Sequence, residues 1–336
     1  MISLLAKRYM GILAIALWKA VMDMNRLCIC LLGKFSARRD QHEIVGLDIT
    51  KIQYLFCYLL LYRSRSHLRE ALATLLWGDS TTAQSKKYLR QALWQLQSAL
   101  NTKTDALEDY ILTVDPDWIG INSKADLSLD VEAFERHFAA VQGVPGHELD
   151  EQRAQSLKDA ARLYHGDLME GCFEDWCLYE RERLQNMYLS MLDKLMSYCE
   201  VQSQYETGIQ YGSRILGYDR AREHTHRKLM RLHYLAGDRS GALRQHERCV
   251  AALQEELGVK PGKKTTVLYE QIRADQLDDA TPAPAKVDEV PVITMATTPL
   301  PEVLSRLRKL RTTLTSLQHQ IQEDIHAVEL VLKGRK

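Results

Sequence analysis

The sequence has no apolar run long enough to cross a membrane. The apolar stretch near the N-terminus, Met10–Trp18, has nine residues before Lys19, whereas a transmembrane helix needs about 20. No clear cleavage motif of small residues follows it, so a secretory signal is not indicated either. We therefore expect residues 1–24 to be an N-terminal extension of a cytoplasmic protein that has no membrane partner.

Cysteine spacing that would indicate a zinc site or a disulfide framework is missing as well. The seven cysteines form an odd, scattered set without paired CxxC units or a downstream His pair. Most fall at apolar positions, so we interpret them as small buried side chains in a reducing cytoplasm. The alternative is a remnant of a metal site at Cys172 and Cys177, near His165.

Enzyme signatures are not found. The stretches Cys28–Phe35 and Leu257–Lys264 contain Gly-Lys, but they lack the first glycine and the final hydroxyl residue of a phosphate-binding loop. His224 and His226 are two residues apart on a predicted helix, where side chains diverge, so they are not a ligand pair. We expect no enzymatic activity, no catalytic residue, no metal and no cofactor.

The charges cancel over the whole chain but are unevenly distributed. Residues 22–100 carry 11 Lys and Arg against 6 Asp and Glu, whereas residues 101–150 carry 3 against 11. A basic patch is a local property, so a net charge of zero does not argue against a nucleic-acid partner.

The sequence repeats itself between Leu192 and Pro261. Leu192–Arg220 aligns with His226–Gln254 at a constant offset of 34 residues, which is the period of tetratricopeptide helix pairs. A small residue in each copy keeps the second helix narrow enough to pack against the first, and further helices must stack on the pair to bury its apolar stripe. The matched positions are Leu195/Leu229, Met196/Met230, Tyr198/Leu232, Gly208/Ala242, Ile209/Leu243 and Ile215/Cys249.

The residues before the repeat predict a small α+β domain. Short apolar runs on either side of a polar turn at Arg38–Gln41 predict antiparallel strands within residues 27–47. Three helices and a hairpin with an Asp-Pro-Asp turn are predicted next. This is the element order of a winged helix, whose third helix enters the DNA major groove. The predicted helices are Thr50–Tyr62 with a Thr cap, Ser66–Trp77 with a Ser start, and Thr81–Leu100; the predicted hairpin strands are Tyr110–Val114 and Trp118–Ile121.

The third helix is the candidate DNA-binding element. We expect its leucines to hold it on the core, so that side chains off the leucine stripe face DNA or are simply exposed. Lys86 and Lys87 would contact phosphates, while Arg90 and Gln91 suit bidentate contacts with guanine and adenine. The predicted DNA-binding residues are Gln84, Ser85, Lys86, Lys87, Arg90, Gln91, Trp94 and Gln95.

These segments resemble a known family. Residues 27–135 contain LLGKF, LREALATLLW, LRQAL and LSLDVEAFE, and resemble the OmpR/PhoB-type winged helix of antibiotic-regulatory-protein (SARP) type activators. Residues 151–275 contain AARLYHGDLMEGCFEDW, YERERLQNMY and LQEELGVKP, and resemble the bacterial transcriptional activator domain that follows it. The resemblance implies a DNA-binding activator whose winged helix docks on promoter repeats and whose helical repeats contact RNA polymerase or a neighbouring protomer.

One departure from the family concerns the second half of the third helix. Family members typically carry a pattern like S-R-L-R there, whereas this chain has Trp94-Gln95-Leu96-Gln97. Two cations are therefore missing, and we expect weaker and less salt-dependent DNA binding than in the family at large. The alternative function is a tetratricopeptide-type adaptor whose winged helix no longer binds DNA.

The C-terminal residues change in composition. Residues 277–299 are rich in proline and predict an extended linker. Residues 300–333 carry apolar side chains at heptad spacing, which predicts a coiled coil that forms a homodimer, or an amphipathic helix that folds back on the repeats. The predicted fold class is mainly α: a winged helix (α+β) at residues 25–140, an all-α tetratricopeptide-like activator domain at 150–276, and a C-terminal coiled-coil helix.

Overall fold

The computed structural model of the chain describes residues 26–39, 42–100 and 110–277. The predicted N-terminal extension, the linker beyond Leu277 and the predicted coiled coil lie outside these residues. Within them, a small α+β part precedes a series of helices, so the predicted fold class is confirmed for the winged-helix and repeat parts.

The first sheet has four strands in the order β3-β2-β1-β7. Strand β1 alternates strictly, with Leu27 and Ile29 buried and Cys28 and Cys30 exposed, which is the period-2 pattern of a strand with one face on the core. Strand β7, which lies about 100 residues further along the chain, pairs with β1 in parallel. The strands are β1 (Leu27–Cys30), β2 (Ser36–Arg39), β3 (His42–Glu43) and β7 (Leu127–Leu129).

The predicted turn at Arg38–Gln41 begins two residues too early. Arg38 and Arg39 still belong to β2, because they pair with Glu43 and His42 of β3. The Arg38 guanidinium also lies 3.7 Å from the Glu43 carboxylate, and such opposite charges across two strands favour the pairing.

Three helices come next and pack on one another, and the expected side-chain caps are wrong for two of them. Helix α1 begins at Thr50, but its N-cap residue is Ile49 and no side chain caps it. Helix α2 begins at Arg69 instead of Ser66, because the two residues before it form strand β4 and pair with β6. The elements are α1 (Thr50–Leu61), β4 (His67–Leu68), α2 (Arg69–Trp77), α3 (Thr82–Leu100), β5 (Ile111–Asp115) and β6 (Trp118–Ile121).

The second sheet is the wing. Its strands β5 and β6 form the predicted antiparallel hairpin, and β4 adds a third strand, giving the order β4-β6-β5. Because β4 leads directly into α2, this pairing fixes the start of α2 beside the wing.

Helices alone build the rest of the described chain. Each helix from α6 to α10 packs on the next one along the chain, as stacked helical hairpins do. None of the helices in the described ranges is long and apolar enough to span a bilayer. The helices are α4 (Asp130–Ala139), a 3-10 turn (Gly146–Glu148), α5 (Glu151–Leu163), α6 (Asp175–Val201), α7 (Tyr205–Tyr218), α8 (Glu223–Leu235), α9 (Arg239–Leu257) and α10 (Lys263–Arg273).

The 34-residue period corresponds to two helical hairpins, α6–α7 and α8–α9. The matched side chains of Leu195 and Leu229, and of Met196 and Met230, are all buried. A Cβ atom at Gly212 would lie 2.6 Å from Leu229 Cδ2, closer than side chains pack. The expectation that small residues keep the second helix narrow is therefore confirmed at this position.

His226 is part of the packing of the repeats. Its imidazole is buried, with Nε2 2.9 Å from the Arg220 carbonyl and Nδ1 2.8 Å from the Gln245 side-chain amide. The amide donates to Nδ1, so Nε2 carries the proton and donates to the carbonyl. Both ring nitrogens are thereby satisfied inside the repeat, as buried polar groups need to be.

The winged helix and the repeats share one continuous hydrophobic core. Asp130, the first residue of α4, accepts hydrogen bonds from the backbone N–H groups of Leu31 and Leu32, both at 2.8 Å. Burial raises the pKa of Asp130, and these N–H groups oppose the rise. Just beyond β1, Leu32 forms a bridge with Leu168, and the Met169 N–H donates to the Leu31 carbonyl at 2.8 Å. The backbone itself therefore ties the two parts together.

Candidate nucleic-acid interface

Helix α3 is held on the core along one side, and a hydrogen-bond partner lies at each of its ends. The Gln84 N–H lies 3.4 Å from Thr81 Oγ1 at its start. At its other end the Arg39 guanidinium donates to the Leu100 carbonyl at 2.7 Å, where a cation also suits the helix dipole. The buried side chains of α3 are Ser85, Leu89, Ala92, Leu93, Leu96 and Leu100.

The opposite side of α3 faces solvent and carries most of the predicted site. Residues 82–100 include three cations and no carboxylate, so the exposed face is positively charged. Gln95 is half-buried at its margin. The exposed predicted residues are Gln84, Lys86, Lys87, Arg90, Gln91 and Trp94.

Ser85 does not lie on this face, and the prediction that it lies off the buried stripe is wrong. Its side chain is 4% exposed, and its hydroxyl lies 3.2 Å from the carbonyl oxygens of both Thr81 and Thr82. The spacing explains the position, because Ser85 precedes the buried Leu89 by four residues and so lies on the same side of the helix.

The cations of α3 differ in their partners. Lys86 Nζ lies 3.0 Å from the carboxylate of Glu70 in α2, and both side chains are about half exposed. Lys87 and Arg90 have no carboxylate partner among the residues that the structure describes. Their positive charges are therefore available for contacts with a phosphate or a base.

Trp94 projects from the same face. Its side chain is 67% exposed, whereas the sequence alone is also compatible with a position in the core. It lies one turn beyond Arg90 and Gln91, at positions where helical side chains are neighbours. The exposed side of α3 therefore carries an aromatic ring next to its charged side chains.

The wing meets the start of α2 beside β6. The Arg69 N–H donates to the Asp117 carbonyl at 2.8 Å, and the Arg69 guanidinium lies 3.4 Å from the Pro116 carbonyl. Trp118 and Leu68 are neighbours in the pairing of β4 with β6, and both are partly exposed. The sequence predicts the wing hairpin, but it places Leu68 and Arg69 in a helix and not beside the wing, because a two-residue strand has no periodicity to recognise.

The wing turn itself brings an acidic side chain to the surface. Asp117 is exposed at the turn, where a DNA backbone would favour a cation. Within α3, the cations without a carboxylate partner among the described residues are thus Lys87 and Arg90.

The cysteines and histidines do not assemble into a metal site in the described part of the chain. No group of three or more metal-ligating side chains is found there. Cys172 and Cys177 are buried near each other, and a hydrogen bond from Cys177 lowers the pKa of Cys172 to about 7. His165 is instead bonded to the Leu163 carbonyl through Nδ1, at 2.9 Å.

Comparison with known proteins identifies the class of the helical part. Residues 129–273 match the family described as "Bacterial transcriptional activator domain", which covers α4 to α10. This domain follows a winged-helix-like α+β part, so the order of domains is that of the SARP-type activators, and the resemblance seen in the sequence is confirmed.

One solved structure has the same fold over most of the chain. It is Mycobacterium tuberculosis EmbR in complex with a low-affinity phosphopeptide, with a TM-score of 0.56 and 20% sequence identity. The similarity covers 76% of this chain and 67% of that one; at this identity it concerns the fold. No curated protein sequence gives a significant match.

Proposed function

We propose that this protein is a transcriptional activator that binds double-stranded DNA with α3 in the major groove. The observation that carries the proposal is the exposed face of α3, which has three cations and no carboxylate and is held rigidly by the leucine stripe beneath it. Arg90 and Gln91 are the base-reading side chains and Lys87 contacts a phosphate, since these residue types suit those contacts.

The number of free cations sets the expected salt dependence. Each neutralised phosphate contributes about −0.9 to the slope of log K against log salt. With Lys87 and Arg90 free and Lys86 engaged by Glu70, α3 contributes a slope of about −2 per protomer. The electrostatic contribution to DNA binding is therefore weak. The absence of the two cations that family members typically carry in α3 leads to the same expectation.

The test is a salt titration of the full chain on the DNA upstream of its own gene. We expect Lys87→Ala/Arg90→Ala to abolish most saturable binding. The matched control is Arg214→Ala/Lys260→Ala, which removes the same charge from exposed positions in the repeats and should bind like wild type. Glu70→Gln should tighten binding and steepen the slope by about one phosphate contact, because it frees Lys86. Equal binding by both double variants would contradict the assignment of α3.

The remaining parts of the proposed function concern partners. The helical repeats contact RNA polymerase or a neighbouring protomer, as in the resembling family, and such an activity belongs to the cytoplasm. Residues 300–333 pair two protomers and so raise their effective concentration on adjacent half-sites. Sedimentation should give a dimer for the full chain and a monomer for residues 1–299; two monomers would refute the pairing.

A second candidate function, a protein-interaction adaptor, is favoured by two observations. Lys86 is engaged by Glu70, and the wing turn exposes Asp117 where a DNA-binding wing would carry a cation. If the folded chain shows no DNA binding even at low salt, the adaptor is the better assignment, and the exposed surfaces of the repeats become the place to seek partners.

A further inference from the structure

Two thiols lie in contact at the start of α6. The Cys172 side chain is 1% exposed and that of Cys177 is fully buried, and Cys177 lies in the first turn of the helix. The Cys177 thiol donates a hydrogen bond to the Cys172 sulfur. Because the two sulfurs are already in hydrogen-bond contact, a disulfide bond of about 2.05 Å needs only a small movement of the side chains.

The Cys172 sulfur accepts hydrogen bonds from several groups. The bond from Cys177 has the largest effect on it, and the backbone N–H of Glu174 and the hydroxyl of Tyr54 also donate to it. These donors outweigh burial and the Glu174 carboxylate, and they lower the pKa of Cys172 to about 7. About half of this thiol is therefore ionised at pH 7, against a few per cent for an ordinary cysteine.

The other buried cysteines of the described residues lack this environment. Burial raises the pKa of Cys57, Cys199 and Cys249, and such thiols are unreactive. The hydrogen bond to Cys172 likewise raises the pKa of Cys177. Within the pair, the nucleophilic thiolate is therefore on Cys172 and the proton is on Cys177.

Arg181 fixes the backbone that carries Cys172. Its guanidinium donates to the carbonyl groups of Leu168, Met169 and Cys172 at 2.9 to 3.1 Å. The Met169 N–H in turn donates to the Leu31 carbonyl. The thiol pair therefore lies beside the backbone junction between the winged helix and the repeats.

The Cys172 thiol lies directly beneath the protein surface. Gly171 and Phe173, on either side of it in the chain, are exposed. A Cβ atom at Gly171 would meet no other atom within 4 Å, so the loop is open on that side. Hydrogen peroxide is little larger than a water molecule, and this small cover suffices to admit it while larger reagents are excluded.

We propose that Cys172 and Cys177 form a reversible oxidation site, at which hydrogen peroxide converts the two thiols to a disulfide. The Cys172 thiolate attacks one peroxide oxygen, the O–O bond breaks and hydroxide leaves, so that Cys172 becomes a sulfenic acid. The Cys177 sulfur then gives its proton to hydroxide and displaces a second hydroxide from Cys172, which forms the S–S bond. In total, two thiols lose two protons and two electrons, and the peroxide is reduced to two water molecules.

Oxidation of Cys172 prepares Cys177 for the second step. The hydrogen bond to Cys172 is the largest cause of the raised pKa of Cys177, and Arg181 acts to lower that pKa. The bond to a thiolate is lost once Cys172 is a sulfenic acid, so Cys177 then ionises more easily. In a reducing compartment the disulfide is transient, because thiols reverse it by exchange.

The test is peroxide treatment of the folded full chain, followed by unfolding, alkylation of the remaining thiols and mass spectrometry. Trypsin leaves both cysteines in one peptide, residues 163–181, because it cleaves after Arg162 and Arg181. We expect this peptide to lose two hydrogen atoms and to remain without alkyl groups. Its oxidation should be about 10 times faster than that of Cys199 or Cys249, and dithiothreitol should restore both thiols.

Variants assign the roles within the pair. Cys177→Ser should stop at a Cys172 sulfenic acid, which dimedone traps, and Cys172→Ser should leave Cys177 unoxidised. Tyr54→Phe should form the disulfide several-fold more slowly, because it removes a donor to the thiolate. The matched control, Tyr179→Phe, changes an exposed tyrosine and should react like wild type.

Two results with the wild-type chain would overturn the inference without depending on any variant. One is a 163–181 peptide that is still fully alkylated after peroxide treatment. The other is oxidation of Cys199 or Cys249 as fast as that of the pair, since the reaction would then not be specific to this site. The measurement uses no DNA, so its result is independent of the proposed function.

Discussion

Replacing Asp130 by alanine should destabilise the protein more than any ordinary surface substitution. The carboxylate joins α4 to the end of β1 by accepting the N–H groups of Leu31 and Leu32, both at 2.8 Å, and also that of Val131 at 2.7 Å. Alanine would leave the first two donors without this acceptor, in a part of the chain where they are largely shielded from water.

The magnitude follows from the two long-range hydrogen bonds. A hydrogen bond to a charged group contributes about 1.5 to 3 kcal/mol, so two contribute roughly 3 to 6 kcal/mol. The cost of burying the carboxylate, visible in the raised pKa of Asp130, offsets part of this. We expect a net loss of about 3 kcal/mol, which for a unit of this size lowers the midpoint of thermal unfolding by on the order of 10 °C.

Urea and thermal unfolding followed by circular dichroism would measure this loss. Asp159→Ala is the matched control, because Asp159 is an exposed helical aspartate that pairs with Arg162, and such pairs contribute at most about 1 kcal/mol. Asp130→Asn should recover roughly half of the loss, since one amide oxygen can still accept from Leu31 and Leu32. If Asp130→Ala and Asp159→Ala unfold within about 0.5 kcal/mol of each other, the reasoning about the junction is refuted.

Two further predictions concern the repeats. Gly212→Val should lower the free energy of unfolding by about 1 to 3 kcal/mol because its side chain meets Leu229 and Met196. Gly217→Ala, where a Cβ has nothing within 4 Å, should raise it by about 0.4 to 1 kcal/mol; the same urea-midpoint shift in both variants would contradict the packing. Burial acts to raise the pKa of Asp193, but Lys228, 2.9 Å away, and His224 outweigh it, so the pKa is lowered. The stability that wild type has over Asp193→Asn should be present at pH 7 and lost as pH falls below about 4, and a constant difference in urea midpoints from pH 7 to pH 3.5 would contradict it.

Strong periodicity made most of the helical architecture predictable from the sequence. The 34-residue repeat identifies Leu195, Leu229 and their neighbours as core positions because each recurs at helical spacing on a buried stripe. The same spacing rule, applied to Ser85, would have placed it on the leucine stripe, since it lies four residues before Leu89. The Ser85 hydroxyl can be buried on that stripe because it bonds to backbone carbonyl groups. Hydropathy does not reveal such bonds.

Pairings between distant residues were not predictable from the sequence. Strand β4 has only His67 and Leu68, too few for a period, and it exists because β6 lies beside it. The hydrogen bonds of Asp130 and the Leu32–Leu168 bridge join residues about 100 or more positions apart, so no local pattern signals them. Likewise, the ion pair of Lys86 with Glu70 depends on how α2 and α3 pack, and helix propensity does not encode it.

The parallel pairing of β1 with β7, and the hydrogen bond that the Met169 N–H donates to the Leu31 carbonyl, have a consequence for how the protein is made. Strand β1 acquires its second neighbour only when β7 has left the ribosome, and Leu31, just beyond β1, acquires its partner only with residue 169, 138 residues later. At bacterial rates of synthesis this takes on the order of 10 s. Until β7 is made, the nascent winged helix keeps an open strand edge, which chaperones can bind and at which aggregation can begin. A DNA-binding fragment ending at Ile121 would keep that edge open permanently, whereas one that extends past Met169 contains β7 and also the partners of Leu31 and Leu32.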